Sequence, residues 1–293
     1  MNTETTFDVH AYKGDLRREW REAAPGWQRW LEVLEADGAM PQLGRWLLEA
    51  VEPAPGHRIL DVGTGYGEPG LTAARAVAPG GHVTLQDLSG EMLALAQDRA
   101  AGADLGDVEL DIVEGDADEL TLPAGRFDAV VSRSVLMYLA DPAASLARLR
   151  TGLRPGGRLA ASTWSGPEEV AMAAPVPIIR RLLELPPPPE GRPGLFALAD
   201  PQRLHEVVTA AGFAAVELGT ATAVFEFDSP AEATRFMRDG APPVTALGEH
   251  EPTEVRERVW QRVTDEAWEP YVGDDGRVRL PNLAHCVTAT NPG

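Results

Sequence analysis

The stretch Arg58-Ile59-Leu60-Asp61-Val62-Gly63-Thr64-Gly65-Tyr66-Gly67-Glu68-Pro69-Gly70 concentrates more chemistry than any other part of the chain: an apolar run, a glycine loop and a helix start. Glycines let the backbone turn tightly and approach a ligand closely, and the free N–H groups of a helix start face whatever sits there. Two ligand classes compete for this pattern. Gly65-x-Gly67-x-x-Gly70 satisfies the dinucleotide fingerprint, with Asp87 downstream at the end of the next apolar run, which would make the chain a nicotinamide-dependent oxidoreductase. Asp61 ahead of Gly63-x-Gly65-x-Gly67 favours another ligand, because a carboxylate under the loop repels a pyrophosphate and suits a cation. The expected ligand is therefore positively charged.

Alternating strand and helix patterns must hold this loop in place. Short apolar runs predict strands at 58–62, 82–86, 108–113, 127–131 and 157–163, with helices at 69–78, 90–101 and 142–152 between them. That order is the signature of a doubly wound α/β sheet with crossover helices. Residues 15–50 read as helices, from the recurrence of Leu16, Trp20, Trp27, Trp30, Leu31 and Leu34, punctuated by Pro25-Gly26 and Gly38. After Trp164, Pro175, Pro177 and the run Pro186 to Pro189 exclude a central strand and predict an inserted helix with a stiff loop. A helix at 201–211, an extended segment at 214–227, helices at 230–239 and 252–268, and a last strand at 283–289 complete the pattern.

With these elements in place, ILDVGTGYGEPG resembles the cofactor loop of the class I S-adenosylmethionine-dependent methyltransferases, whose cofactor carries an ammonium and a sulfonium. Val83-Thr84-Leu85-Gln86-Asp87-Leu88-Ser89, Glu114-Gly115-Asp116-Ala117, Phe127 to Arg133 and Leu153-Arg154-Pro155-Gly156-Gly157 resemble the later motifs of the same family, in order, across about 55–165. Asp87-Leu88-Ser89-x-x-Met92-Leu93 and the Leu-x-Pro-Gly-Gly turn are similar to its quinone-biosynthesis and natural-product branch. The resemblance implies a Rossmann-like seven-stranded sheet, mostly parallel with the last strand antiparallel. It implies an N-terminal helical cap at 1–54, a cofactor core at 55–165, an inserted cap at 166–199 and a C-terminal completion of the sheet at 200–293.

It also implies cofactor contacts at Asp61, Gly63, Thr64, Gly65, Gly67, Asp87, Leu88, Met92, Asp116, Ala117 and Ser132, with Asp87 on the ribose hydroxyls and Asp116 on the adenine amino group. The plainer alternatives are glycines that only permit tight packing, Asp87 as a helix cap, and Asp116 as one charge in the acidic stretch 107–119. Trp20, Trp27, Arg133, Met137 and Tyr138 are candidates for an acceptor pocket, the tryptophans, Met137 and Tyr138 equally for core packing. Tyr12, His10 and Glu19 in the N-terminal cap are candidate general bases. The implied reaction is methyl transfer from S-adenosylmethionine to O, N or C of a small, apolar or aromatic metabolite, leaving S-adenosylhomocysteine. The same cofactor can also serve a cyclase or a binding protein without methyl transfer.

Composition excludes several other classes. The 293 residues carry a formal net charge of −19, which repels nucleic acid backbones and anionic lipid headgroups. Lys13 is the one lysine among 26 basic residues, so Schiff-base chemistry has a single candidate. His10, His57, His82, His205, His250 and His285 lack metal-ligand spacing, so no metal is expected, and Cys286 reads as a small core residue of a terminal strand. The start MNTETTFDVH has neither a basic nor an apolar leader region, and no run of about 18 apolar residues occurs, so the expectation is a cytoplasmic protein.

Overall fold

A computed structural model describes residues 7–187 and 191–293, so Pro188 and Pro189 of the proline run lie outside the described residues, as do residues 1–6. Three helices come first: α1 (Val9–Arg29), α2 (Leu31–Leu34) and α3 (Met40–Val51). The alternating core follows as β1 (Arg58–Val62), α4 (Gly70–Val77), β2 (Gly81–Asp87), α5 (Gly90–Ala101), β3 (Val108–Glu114), β4 (Phe127–Arg133), α6 (Pro142–Gly152) and β5 (Leu153–Trp164). The remainder holds α7 (Pro175–Leu182), α8 (Pro201–Ala210), β6 (Ala214–Phe227), α9 (Pro230–Gly240), α10 (Pro242–Thr245), α11 (Thr253–Glu266) and β7 (Val278–Thr290).

Local chemistry explains where the helices begin. Asp141-Pro142, Asp200-Pro201 and Ser229-Pro230 each place a capping oxygen before a proline, and the three side chains accept from Ala144 N, Gln202 N and Glu232 N. Such a cap satisfies one orphan N–H and contributes about 1 kcal/mol, while proline at the first helical position loses no bond. Pro25-Gly26, in contrast, does not punctuate: α1 runs through it, with Trp30 N donating to Gly26 O at 3.1 Å. Pro25 is exposed, so water replaces the one bond its ring removes. Gly26 serves a close approach of helices, since a Cβ there would stand 2.0 Å from the carbonyl oxygen of Asp239 in α9.

The strands form one sheet in the order β3-β2-β1-β4-β5-β7-β6. All neighbours from β3 to β5 are parallel, and β7 runs antiparallel to both β5 and β6. The alternation along β1 divides the core: Ile59 faces Leu47, Leu71 and Val77 on the α3 and α4 side, whereas Leu60 and Val62 face the side of α6 and α8. β3 is an edge strand, which accounts for its exposed acidic residues. The chain order reverses between β1 and β4, and the crevice beyond the carboxyl ends of the strands at such a point is where open sheets of this kind take ligands. Among the described residues no helix is long and apolar enough to cross a membrane, and no group of three or more His, Cys, Asp or Glu is placed to hold a metal ion.

Candidate functional site

A cavity with about 1350 Å³ of empty space, part of it open to solvent, lies at that switch point. Its floor is built from strand ends: Gly63, Thr64, Gly65 and Tyr66 after β1, Gln86 and Asp87 closing β2, Asp116 and Ala117 after β3, Arg133 and Ser134 at the end of β4, and Trp164 at the end of β5. Lys13, Leu16, Trp20 and Trp27 of α1 also line it, at spacings that put them on one helical face. Phe225 of β6, Phe236 and Met237 of α9, and Pro242 and Pro243 of α10 close the far wall.

Asp61 holds the glycine loop from below. Its Oδ2 accepts from Thr64 Oγ1 at 2.7 Å and from Gly70 N at 2.8 Å, tying the two ends of the turn to one carboxylate. The other oxygen, Oδ1, is buried without a hydrogen-bond partner. Burial pushes this carboxyl up to about 6, against the lowering effects of Thr64, Arg133 and Gly70. Gly63 and Gly65 both adopt positive φ, for different reasons. A Cβ at Gly63 would strike Val135 Cγ2 at 2.2 Å, whereas one at Gly65 would meet no protein atom within 4 Å. Gly63 is thus demanded by packing, and Gly65 leaves a cradle on the cavity wall.

Two further carboxylates line the cavity. Asp87 accepts from Gly65 N at 2.8 Å through Oδ2 and from Ser89 N at 2.9 Å through Oδ1, so it joins the end of β2 to the loop after β1. Each oxygen keeps a lone pair, and burial raises the carboxyl above its ordinary range. The cap of α5 is Ser89, which accepts from Met92 N, so Asp87 is not the helix cap. The hydrogen bonds to Asp116 fall on one oxygen: Oδ1 accepts from Lys13 Nζ at 2.9 Å and from Asp118 N at 2.9 Å.

The opposite half is aromatic. Trp20 stands edge-on to Trp27 and Tyr138, with ring centroids 5.7 and 6.1 Å away, and Trp27 packs on Tyr66 at 5.6 Å. Beneath them the buried Arg133 holds its guanidinium 5.2 Å from the centroid of Tyr66 and donates to Met40 O at 3.3 Å. Burial raises Tyr66 to about 12 and Tyr138 higher still, which keeps both phenols protonated. Among the described residues lining this cavity there is no histidine, cysteine or glutamate.

Twelve of the residues singled out from sequence line this one cavity: Gly63, Thr64, Gly65, Asp87, Leu88, Met92, Asp116, Ala117, Trp20, Trp27, Arg133 and Tyr138. The rest stand elsewhere. Asp61 lies beneath the loop, Gly67 packs toward Leu71 and Ala96, and the Ser132 hydroxyl donates to Val62 O between strands. Met137 is buried in the main core outside the cavity lining, because the turn Leu136–Tyr138 directs its side chain among apolar neighbours.

The candidate bases are also displaced. Tyr12 donates its hydroxyl to Tyr138 O at 2.9 Å, and burial followed by the nearby carboxylates Glu19, Asp118 and Asp116 raises it well above the ordinary phenol range. His10 is exposed on the first turn of α1. Glu19 lines a neighbouring polar cavity, raised to about 7 by burial and then by Glu249. Lys13 stands out in the sequence only as the one possible Schiff-base lysine, and nothing in the sequence marks Phe225, Phe236 or Pro242 as site residues. The uniqueness of Lys13 was the available signal.

Comparisons with known proteins bear on the fold and on the strand-loop core that carries these residues. Residues 60–161 match the family model Methyltransf_11, a methyltransferase domain. The demethylmenaquinone methyltransferase of Clavibacter sepedonicus is 35% identical over 136 residues, which is 46% of this chain and 50% of that protein. The chain spans about half the length of the curated relatives it matches. Among solved structures, geranyl diphosphate C-methyltransferase from Streptomyces coelicolor, in complex with Mg2+, geranyl diphosphate and S-adenosyl-L-homocysteine, superposes with a TM-score of 0.54 over 97% of this chain and 100% of that one, at 13% identity. The [4+2]-cyclase SpnF superposes with a TM-score of 0.52 over 85% of this chain and 80% of that one, at 22% identity. At these identities the two structures share the fold.

Proposed function

We propose that this chain, whose residues 60–161 match a methyltransferase domain, is a class I S-adenosylmethionine-dependent methyltransferase that transfers a methyl group to O, N or C of a small, apolar or aromatic metabolite. The observation that carries this reading is one cavity that joins a glycine cradle and two carboxylates to an aromatic chamber. The donor set suits S-adenosylmethionine. Gly65 leaves room for close approach, Asp87 offers lone pairs to vicinal hydroxyls, and Leu88 and Ala117 offer apolar surface to a purine. Asp116 Oδ2 stands ready for an exocyclic amine, and the partnerless Oδ1 of Asp61 supplies negative potential under the loop.

When bound there, S-adenosylmethionine supplies an electrophilic sulfonium methyl. The protein's part is to position and to exclude water. Trp20, Trp27, Trp164, Phe225 and Phe236 surround the acceptor with apolar surface, and holding two reactants in near-attack geometry can contribute on the order of 7–11 kcal/mol. Burial keeps the Tyr66 and Tyr138 phenols protonated, so neither serves as a base. Arg133 places a fixed positive charge at the end of β4, which favours an acceptor that reacts as an oxyanion or through a polarised oxygen. With no imidazole or glutamate among the described residues of the cavity wall, proton removal is assigned to the acceptor's own acidity and to water.

The test is turnover of S-adenosylmethionine with a panel of phenols, quinols and enolisable polyketide-like compounds, followed by mass spectrometry. Equal amounts of methylated product and S-adenosylhomocysteine are expected. Product formed without S-adenosylhomocysteine overturns methyl transfer and favours a cyclase that only holds the cofactor.

A further inference from the structure

Lys13 is the one lysine in the chain, and it stands where two carboxylates meet the cavity. Its ammonium is 2.9 Å from Asp116 Oδ1 and in contact with Asp118 Oδ2, with the lysine side chain only 12% exposed. Asp118 is itself tied into the fold, accepting from Ala140 N at 2.9 Å and from the Ser145 hydroxyl. The three charges bridge α1 to the loop after β3, across about a hundred residues of sequence. Leu16, Trp20 and Trp27 extend the same face of α1 over the cavity, so Lys13 fastens one end of the helix that roofs the site.

The geometry does a second thing. Lys13 and the Asp118 amide both bind Oδ1 of Asp116, which fixes the carboxylate's rotation and leaves Oδ2 without a protein donor among the described residues. Had the lysine taken both oxygens, Asp116 would be spent on the lid. A charge-assisted bond of this kind is short and directional, and a partly buried one is weakly screened.

We propose that Lys13 is a positioning residue that latches α1 over the nucleoside end of the cavity and, through Asp116 Oδ1, holds Oδ2 ready to accept from the amine of a bound nucleoside. This rests on the assignment of the cavity to S-adenosylmethionine. Ligand bound under α1 fills the space into which the helix would otherwise move, so the latch opens less often and the ammonium meets solvent less often. Lys13 never bonds the ligand. Its effect falls on affinity and on the opening of α1.

A single lysine makes the latch its own reporter. The full chain is acylated with a succinimidyl ester, with and without saturating S-adenosylhomocysteine, and the rate at Lys13 is read by peptide mass spectrometry. Binding of S-adenosylhomocysteine to the native chain, K13M and K13R is measured in parallel by calorimetry. The expected result is at least about tenfold slower acylation with ligand, about tenfold weaker binding in K13M, and recovery to within about threefold in K13R, the scale of losing or keeping one charge-assisted bond. Native binding with unchanged or faster acylation, or equal binding by K13M, overturns the latch and leaves the proposed reaction standing. Failure of the native chain to bind S-adenosylhomocysteine overturns both.

Discussion

The two halves of the cavity are built by opposite means. The half formed by the ends of β1, β2 and β3 is made of backbone turns and carboxylates that lie close together in sequence: Asp61 with Thr64 and Gly70, Asp87 with Ser89, Asp116 with Asp118. The aromatic half joins Trp20 and Trp27 of α1 to Tyr66 and Tyr138 at the strand ends and to Phe225 and Phe236 of β6 and α9, which lie about 200 residues beyond α1 in the chain. A ligand that many chains share is met by short-range geometry, which a local motif can encode. An acceptor peculiar to one chain is met by long-range packing, which leaves the motif half free to stay the same while the chamber changes.

The sharpest break between the halves should come from the two glycines of the loop. Gly63→Ala pushes a methyl into Val135 and is expected to cost roughly 3 kcal/mol or more of stability by forced repacking and positive-φ strain. Gly65→Ala carries the strain alone, about 1 kcal/mol, yet fills the cradle. Thermal melts should separate the two, while calorimetry should show S-adenosylhomocysteine binding lost in both. Retained binding in Gly65→Ala would remove the cradle from the site.

Next comes the buried carboxyl beneath that loop. Asp61 titrates near 6 in the folded protein against 3.8 as its ordinary value, so the folded state binds the extra proton between these limits. Its contribution to stability is fully present below about pH 4 and is lost as pH rises through about 6, a swing on the order of 3 kcal/mol. Asp61→Asn, which keeps acceptors for Thr64 and Gly70, should flatten this limb when denaturant midpoints are compared between pH 4.5 and 7.5. An unchanged pH profile would mean that Asp61 is ionised throughout.

On the aromatic side, Trp20→Ala should raise the acceptor KM by about tenfold, from lost apolar contact of about 1–2 kcal/mol, with cofactor affinity changed by less than about twofold. Equal damage to both affinities would mean that the halves are not independent. The smallest effect is expected at Glu19. Although this carboxyl is raised to about 7, it lines the neighbouring polar cavity, and Glu19→Gln should leave the pH dependence of kcat/KM unaltered. A shifted acid limb would restore it as a base.

Legibility in the sequence follows the same division. The alternating core was readable because β1 and α5 declare themselves by apolar period, and because Asp141-Pro142 and Ser229-Pro230 mark helix starts with residues whose chemistry is local. Pro25-Gly26 misled because its meaning is distant: the glycine answers to the backbone of Asp239, not to a turn of its own. The same holds for Phe225 and Phe236, which pack 5.6 Å apart between two elements and show no period that distinguishes a chamber wall from core. Tyr12, His10 and Glu19 have the chemical type of a base, but the helix carrying them turns Lys13 and Trp20 to the cavity instead.

The place of β7 between β5 and β6 sets a schedule for biosynthesis. β6, with Phe225 on the chamber wall, has β7 as its one sheet neighbour, and β7 spans Val278–Thr290. The ribosome finishes the loop-bearing strands β1 to β5 by Trp164, more than a hundred residues before that partner emerges. At roughly 5–20 residues per second the interval is on the order of ten seconds. During it the nascent chain carries the strands of the cofactor half complete and β6, with Phe225 and Phe227, still unpaired, the stage at which a holdase has most to shield.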